Sequence, residues 1–253
     1  MDLSNIHCIV TGGNGKIGSS VCASFLDCGA KVSCISRSND LPDYLSAINE
    51  NNQNLYTYQC DVANKESFGD IFRKVLDSGK VTTLVNCTSF RPSLLNEEGD
   101  DIKHWSQSIL QNSLALAVPT FELTKYFKDH RINGSVISLS SIYGIVGPRF
   151  EIYQDTELTT EADYAYNKSA IIGFNKYMAA KYAKYNITFN VIAPGGVSAS
   201  QSQEFRDNYY QIVPMRRMAE ANDISYSCCF FASEYARYIT GVVMPIDGGW
   251  LCV

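Results

Sequence analysis

Short apolar runs alternate along the chain with longer segments in which apolar residues recur every three to four positions. The short runs, rich in Val, Ile and Thr, predict seven β-strands at residues 7–10, 31–35, 55–59, 82–85, 135–139, 188–192 and 242–246. The longer segments predict helices, the clearest at residues 17–28, 65–76, 102–127 and 164–185. Repeated β-α-β units with nearly continuous apolar strands are typical of a parallel sheet with helices on both faces. The pattern therefore predicts an α/β fold, a doubly wound parallel sheet in three α/β/α layers.

We expect residues 1–253 to form a single domain, because the chain contains no linker, low-complexity tract or internal repeat. Two segments, 144–163 and 195–221, carry no regular pattern and are expected to be irregular insertions. Long irregular loops in compact domains are usually functional. In open α/β sheets ligands bind beyond the carboxyl ends of the strands, where both segments should lie.

The composition restricts the class of protein. Hydrophobic residues make up 45% and charged residues 19%, enough for a substantial core. The net charge of -5 and the absence of a Lys/Arg run disfavour nucleic acid as a partner. The nine cysteines show no C-x-x-C spacing and the three histidines no metal-ligand spacing, so we expect free thiols and no metal site. The chain has no apolar run long enough for a membrane span and no signal-peptide pattern, which predicts a cytoplasmic protein.

A glycine-rich run follows the first predicted strand and opens the first helix. Gly13, Gly15 and Gly18 satisfy the pattern G-x-G-x-x-G. Such glycines permit a tight turn and a close approach of the backbone to pyrophosphate at the helix N-terminus. The motif alone can be an ordinary turn, but its position between strand and helix favours a dinucleotide site. The candidate cofactor-binding residues are Gly12, Gly13, Asn14, Gly15, Lys16, Ile17 and Gly18.

The end of the second strand indicates which dinucleotide is bound. NAD sites usually carry an acidic residue here, which binds the ribose 2′-hydroxyl, but this chain has Ser36 and Arg37. An Arg can bind a 2′-phosphate, and Lys16 can add to the positive charge. NADP(H) is therefore favoured and NAD(H) is the alternative; an exposed Arg without a ligand is the other interpretation.

Tyr164 and Lys168 are candidates for acid/base chemistry. They are four residues apart and share one face of the predicted helix. A phenol has an ordinary pKa near ~10, which a neighbouring ammonium lowers toward neutrality. By itself such a pair is more often a surface contact. However, Ser140 and Ser141 leave the fifth strand at its carboxyl end, and Asn112 lies in the fourth helical segment.

Over nearly its whole length the chain resembles the short-chain dehydrogenase/reductase family. The matching motifs occur in the family's order: the glycine loop, Asp61-Val62, Asn86, Asn112, Ser141, Tyr164, Lys168, Pro194-Gly195, Ile239-Thr240-Gly241 and Asp247-Gly248-Gly249. The resemblance implies a Rossmann fold. It also implies an NAD(P)-dependent oxidoreductase that transfers a hydride between nicotinamide and a carbonyl or hydroxyl carbon.

The resemblance also implies roles for individual residues. Ser141 binds the substrate oxygen, Tyr164 exchanges the proton, Lys168 holds the ribose and tunes Tyr164, and Asn112 positions a water molecule. Ser140 is the alternative for the serine role, but the family usually has its catalytic Ser three residues before a Gly, here Gly144.

The same resemblance extends the cofactor site. It adds Asp61 and Val62 at the adenine, Asn86 on the adenine–ribose side, and Pro194, Gly195 and Val197. The chain departs from the family at Ala199, which stands where a Thr often meets the carboxamide, so Ser198 or Ser200 is expected to replace it. The spacing of Gly12, Gly15 and Gly18 is similar to the family's extended branch.

The segment between Ser141 and Tyr164 bears on the substrate. It contains Arg149 and Tyr153, which we expect to bind a hydroxyl-rich or anionic molecule; a polar surface loop is the alternative. The runs at residues 140–144, 150–153 and 164–171, with Pro194-Gly195-Gly196, resemble oxidoreductases found with flagellin-modification and sialic-acid-like sugar genes. This resemblance implies a sugar-type substrate in surface-glycan biosynthesis.

Other functions remain open. One is a reductase of another carbonyl class, such as 3-oxoacyl thioesters. Another is a catalytically silent dinucleotide-binding protein. The resemblance further implies a homo-oligomer, a tetramer or a dimer, paired through the two long helices and residues 242–253.

Overall fold

A seven-stranded sheet forms the centre of the computed structural model, which describes residues 1–51, 53–90 and 102–253. Every adjacent pair of strands is parallel, and the spatial order is β3-β2-β1-β4-β5-β6-β7. The predicted doubly wound parallel sheet is therefore confirmed. The strands are β1 His7–Thr11, β2 Lys31–Ser36, β3 Leu55–Gln59, β4 Thr83–Asn86, β5 Ser135–Leu139, β6 Thr188–Pro194 and β7 Val243–Ile246.

Helices cover both faces of this sheet. They are α1 Lys16–Asp27, α2 Asp43–Asn51, α3 Lys65–Asp77, α4 Ile102–Asp129, α5 Ala162–Tyr182, α6 Gln203–Ile212 and α7 Ala221–Ala232. Successive residues of a strand point to opposite faces. Accordingly, Cys8 and Val10 of β1 pack in a core with α1, α2 and α7, whereas Ile9 packs in a second core with α3, α4 and α5.

The two insertions differ in regularity. Segment 144–163 follows a 3₁₀ turn at Ile142–Gly144 and contains another at Phe150–Tyr153. Segment 195–221, expected to be irregular, contains α6. This helix begins where the Ser202 hydroxyl accepts a hydrogen bond from the Phe205 N–H at 3.3 Å, and it buries only Phe205 and Tyr209. Two buried side chains in a ten-residue, mostly polar segment give a weak helical pattern, which is why the sequence did not indicate α6.

The described part of the chain contains neither a membrane-spanning helix nor a metal-binding group of side chains. No helix there is long and apolar enough to cross a membrane. Nor do those residues contain a group of three or more His, Cys, Asp or Glu side chains arranged to hold a metal ion.

His7 begins β1 as a buried polar residue. Its side chain is 4% exposed, and its Nε2 atom lies 2.9 Å from the Ser33 hydroxyl. Burial, with a smaller contribution from nearby Lys31, lowers the pKa of His7 from 6.5 to about 4. The folded protein therefore favours the neutral ring.

This shift predicts a pH-dependent stability. Between pH 6.5 and about 4 the unfolded chain binds a proton at His7 that the folded chain does not, so the free energy of unfolding should decrease as the pH falls. The decrease in the free energy of unfolding reaches about 3 kcal/mol below pH 4 and is absent well above pH 6.5. Urea unfolding at several pH values measures it. The difference should largely disappear in His7→Gln and persist in the control His130→Gln, which alters an exposed histidine. Equal pH dependence in wild type and His7→Gln would contradict the assignment.

Candidate active site

The functional residues converge at the carboxyl edge of the sheet. Because the strands are parallel, the segments after β1, β4, β5 and β6 all emerge at this edge. The strand order reverses between β1 and β4, so the loops after these two strands diverge and leave a crevice. The glycine loop lies on one side of the crevice and Ser141 on the other.

The glycine loop has little space for any side chain. Gly12 has φ +65°, and a Cβ atom on Gly18 would lie 2.1 Å from the Gly12 carbonyl oxygen. Gly15 is the N-cap of α1 and makes no side-chain capping bond, and the first turn contains no acidic residue. The N–H groups and positive dipole end of α1 are therefore available to an anion. This arrangement fits the pyrophosphate of a dinucleotide.

A cavity of about 790 Å³ extends from this loop toward the end of β2. The Asn14 side chain closes one wall by donating to the Ser38 hydroxyl at 2.9 Å. The Arg37 guanidinium lies 5.4 Å from the centre of the Phe90 ring. The predicted cofactor residues that line this cavity are Gly12, Asn14, Gly15, Lys16, Ile17, Gly18, Ser36, Arg37, Asp61 and Val62.

Pro194, Gly195 and Val197 line the cavity that also contains Ser141 and Tyr164. Two further predicted cofactor residues, Gly13 and Asn86, lie in neither of these places. Gly13 packs below the loop, where a Cβ atom would meet Cys34 Sγ at 2.6 Å. Asn86 is 5% exposed, and its amide donates to the Thr120 hydroxyl at 3.0 Å and to the Ser138 hydroxyl at 3.3 Å. It lines a neighbouring cavity of about 340 Å³ between α4 and α5 rather than the large one. Asn86 therefore connects β4 with α4 and β5, and its contact with the cofactor stays a prediction.

The two adjacent serines have different environments. The Ser140 hydroxyl donates to the Lys168 carbonyl oxygen at 2.7 Å, which commits its proton to the backbone. The Ser141 hydroxyl accepts from the Tyr143 N–H at 3.2 Å, so its own proton can be donated to a ligand. Both side chains are buried. This geometry favours Ser141 as the residue that binds a substrate oxygen.

Tyr164 and Lys168 lie in the first two turns of α5. The Lys168 ammonium is 5.6 Å from the centre of the Tyr164 ring and donates to the Leu139 carbonyl oxygen at 3.1 Å. The Tyr143 ring meets the Tyr164 ring edge-on, with 6.5 Å between their centres. The phenol, the ammonium and the Ser141 hydroxyl thus line one cavity of about 330 Å³.

Asn112 makes several backbone contacts from α4. Its amide donates to the Phe90 carbonyl oxygen at 2.9 Å and its oxygen accepts from the Phe90 N–H at 2.9 Å. These bonds hold Phe90, in the segment that follows β4, against the helix. The predicted positioning of a water molecule by Asn112 stays a prediction.

Residues of both insertions surround the cavity beside Tyr164. Segment 144–163 contributes Ile152, Tyr153, Thr159 and Thr160, and segment 195–221 contributes Gln201, Phe205, Tyr209 and Met218. The Tyr153 and Tyr143 hydroxyls are 3.0 Å apart. Burial raises the pKa of Tyr143 and of Tyr209, so both phenols stay neutral and are suited to hydrogen bonding. Among these lining residues, the sequence had indicated only Tyr153.

The expectation that Ser198 or Ser200 replaces the usual Thr at Ala199 stays a prediction. Neither Ser198 nor Ser200 is among the residues that line the cavity, whereas Gln201 is. The Gln201 amide donates to the Val197 carbonyl oxygen at 2.9 Å and its oxygen accepts from the Ala199 N–H at 2.6 Å. Gln201 therefore brings a polar group to this part of the cavity.

Arg149 does not lie where we expected it. Its guanidinium donates to the Val253 carbonyl oxygen and lies 5.4 Å from the Trp250 ring centre. It is absent from the described residues that line the cavity at Ser141. The C-terminal carbonyl and the indole face satisfy this side chain, so the structure gives no support to Arg149 as a substrate-binding residue.

The cysteines provide no second reactive centre here. All nine are free thiols, and of these only Cys252, in the C-terminal turn beside Trp250, is exposed. Among these thiols, Cys87 after β4 is the one that lines the catalytic cavity. Burial raises its pKa to about 12, so the thiol is protonated at neutral pH and is a poor nucleophile.

Comparison with known proteins decides the family. A family model described as enoyl-(acyl carrier protein) reductase, one of the short-chain dehydrogenase/reductase models, matches residues 13–251. The chain belongs to the short-chain dehydrogenase/reductase family. It is an oxidoreductase with a site for a nicotinamide dinucleotide, as the family predicts.

Relatives of this reductase family cover almost the full length. Post-translational flagellin modification protein A of Campylobacter coli is 28% identical, with 98% of this chain and 99% of that protein aligned. The 3-oxoacyl-[acyl-carrier-protein] reductase of Salmonella typhimurium is 30% identical, with 97% of each chain aligned. A short-chain dehydrogenase from Leptospira borgpetersenii, solved with bound NAD+, superposes with a TM-score of 0.87 at 27% identity over 99% of this chain and 96% of that one.

Proposed function

We propose that this protein is an NADP(H)-dependent oxidoreductase that acts on a sugar-type substrate in surface-glycan biosynthesis. The observation that carries the proposal is the lining of the cavity beside Tyr164. Thr159, Thr160 and Gln201 offer hydroxyl and amide groups, and Tyr153 and Phe205 offer aromatic faces. Hydroxyl-bearing rings have both polar edges and apolar faces, which such a lining suits. The likeness to the flagellin modification protein supports the same substrate class.

The residues of the chain have separate tasks in this proposal. The nicotinamide, when bound, gives or accepts the hydride. Ser141 donates a hydrogen bond to the substrate oxygen, and the Tyr164 hydroxyl transfers the proton to or from that oxygen. Lys168 contributes a positive charge that stabilises the phenolate form of Tyr164. Asn112 takes part in returning the proton to solvent.

A substrate panel tests the proposal. The purified protein is mixed with NADPH and either keto sugars or acetoacetyl thioesters, and the loss of NADPH absorbance is followed. We expect the higher kcat/KM with a keto sugar. The relative that is named a 3-oxoacyl reductase favours thioesters as the second candidate, and a higher kcat/KM with them would replace the proposal. Cofactor binding without turnover of any carbonyl compound would support a silent binding protein.

Arg37 supports the preference for NADP(H). Its guanidinium lines the dinucleotide cavity together with Ser36, Ser38 and Lys16, and the end of β2 carries no acidic residue there. An Arg can bind a phosphate through two parallel hydrogen bonds, whereas it has no such partner on an unphosphorylated ribose. NAD(H) stays the alternative.

We predict that Arg37→Asp reverses the cofactor preference. Loss of a charge-assisted bond and gain of a repulsion should weaken NADPH binding by about 10- to 100-fold and affect NADH less. Fluorescence titration of the two reduced cofactors gives both Kd values. Lys74→Asp, at an exposed site on α3, makes the same change of charge outside the cavity and serves as the control. Tighter binding of NADH than NADPH by the wild-type protein would refute the role of Arg37.

We also propose a homo-oligomer, a tetramer or a dimer, in the cytoplasm. Large apolar side chains are exposed along the two long helices, namely Leu110, Phe121, Tyr166 and Tyr177. Exposed apolar side chains of this size are suited to contact with a second subunit. β7 is an edge strand with half-buried side chains, and Val253 beyond it is exposed. Light scattering at micromolar concentration measures the mass, and a monomer there would oppose the proposal.

The nine free thiols support the proposed cytoplasmic location, because the cytoplasm is a reducing compartment in which thiols stay unpaired.

A further inference from the structure

A buried polar cluster joins α4 to α5 behind the catalytic residues. Its members are Ser108 of α4 and Asp163 and Asn167 of α5, whose exposed fractions are 0%, 7% and 7%. Such groups are costly to bury unless they are hydrogen-bonded. Apolar side chains would pack two helices without this cost, so the cluster calls for a specific explanation.

Ser108 is the centre of the cluster. Its hydroxyl donates to an Asp163 carboxylate oxygen and accepts from the Asn167 amide at 3.1 Å. The Ser108 carbonyl oxygen accepts from the Asn112 amide at 2.9 Å. One serine therefore contacts three side chains on two helices.

Along α5, each cluster residue is the direct neighbour of a predicted catalytic residue. Asp163 directly precedes Tyr164, and Asn167 directly precedes Lys168. Residues four apart lie on one helix face, so Asp163 and Asn167 face α4 together while Tyr164 and Lys168 lie together about 100° further around the helix. Asp163 is in the first turn of α5, where a carboxylate is also stabilised by the helix dipole.

Hydrogen bonds fix the rotation of a helix about its axis, which apolar packing alone leaves adjustable. Apolar contacts are not directional and tolerate small rotations of a helix about its axis. Bonds from Ser108 to two successive turns of α5 oppose both rotation and sliding of that helix. The third contact, from Asn112, links the same serine to the residue of α4 that belongs to the predicted catalytic set.

We propose that Ser108 is a positioning residue that sets the rotation and register of α5 against α4 and so holds Tyr164, Lys168 and Asn112 in their working arrangement. The proposal rests on the proposed function, in which these three residues carry the proton transfer. Displacing reacting groups by about 1 Å can cost about 100-fold in rate. The cluster touches neither the dinucleotide cavity nor the glycine loop. Its loss should therefore lower kcat much more than cofactor affinity, which it affects only through the predicted contact of Lys168 with the ribose.

Ser108→Ala is the first test, with Ser106→Ala as the control at an exposed position of the same helix. We expect Ser108→Ala to lower kcat by about 10- to 100-fold, with a clearly smaller change in the NADPH Kd. Ser106→Ala should match the wild type in both. A kcat for Ser108→Ala within about twofold of the control would overturn the proposal, as would an equal loss of cofactor affinity.

Asp163 variants test the same bond from its other end. Asp163→Asn keeps an oxygen that accepts from Ser108, whereas Asp163→Ala removes it. We expect the Asn variant to retain most of the kcat and the Ala variant to resemble Ser108→Ala. Equal kcat values for the two Asp163 variants would overturn the proposal even if Ser108→Ala does not fold.

A spectroscopic measurement separates this proposal from the proposed function. The protein is labelled with 3-fluorotyrosine, and the ¹⁹F resonance of Tyr164 is assigned by its absence in Tyr164→Phe. We expect Ser108→Ala to shift or broaden this resonance and Ser106→Ala to leave it unchanged. If that occurs without turnover of any carbonyl compound, the proposed function fails and the positioning role stands. An unchanged resonance in Ser108→Ala refutes the positioning role whatever the enzyme turns over.

Discussion

Replacing Tyr164 with phenylalanine should lower kcat by about 10²- to 10⁴-fold, the usual contribution of a general acid or base. The variant keeps the aromatic ring that meets Tyr143 edge-on at 6.5 Å and faces the Lys168 ammonium at 5.6 Å. It removes only the hydroxyl that carries the proton. Cofactor affinity and folding should therefore change little, and the loss should appear in kcat rather than in KM.

Steady-state kinetics with the best substrate of the panel, together with an NADPH titration, measure this effect. Tyr166→Phe is the matched control, since Tyr166 is 50% exposed on the same turn of α5 and packs against Trp105. It should retain wild-type kinetics. A Tyr164→Phe enzyme with activity within a few-fold of the wild type would refute the assignment of Tyr164 as the acid/base.

Gly18→Ala should have the second large effect, on cofactor binding. The added Cβ atom would lie 2.1 Å from the Gly12 carbonyl oxygen and 2.9 Å from Gly13 Cα, and both are backbone atoms. The loop must therefore move away from the N-terminus of α1. Losing one or two hydrogen bonds to an anion, at about 1.5–3 kcal/mol each, predicts roughly a 100-fold weaker dinucleotide Kd. Overpacking should also lower the free energy of unfolding by about 1–3 kcal/mol.

Gly69→Ala provides the control for the same chemical change in a helix. A Cβ atom at Gly69 of α3 would find only the end of the Arg73 side chain, at 3.9 Å. This variant should bind NADPH normally and be more stable by about 0.5–1 kcal/mol, because Ala is the better helix former. Normal NADPH affinity in Gly18→Ala would mean that the loop does not bind the pyrophosphate as we describe.

The strands were predictable because their signal is local. Short runs of β-branched and apolar residues placed each of the seven strands to within about two residues of its observed bounds, and the β-α-β rhythm indicated the parallel sheet. The glycine loop was equally clear, since the requirement for a small residue at Gly18 comes from backbone only six residues away.

Contacts between distant segments were not predictable in this way. Arg149 binds the carbonyl of a residue 104 positions later, and nothing near it in the sequence indicates that partner. Ser108 and Asp163 are separated by 55 positions. In a helix, Ser, Asp and Asn look like an ordinary solvated face, and only the packing of α4 on α5 reveals that these three are buried.

The unequal reactivity of the thiols makes this protein suitable for single-site labelling. At neutral pH a maleimide fluorophore should attach to Cys252, because the other eight cysteines are buried or half-buried. Its emission would come from the C-terminal turn, close to where Arg149 meets Val253. A change in that emission on addition of substrate would report movement of the segment that carries Arg149 and Tyr153, in solution and without any substitution in the chain.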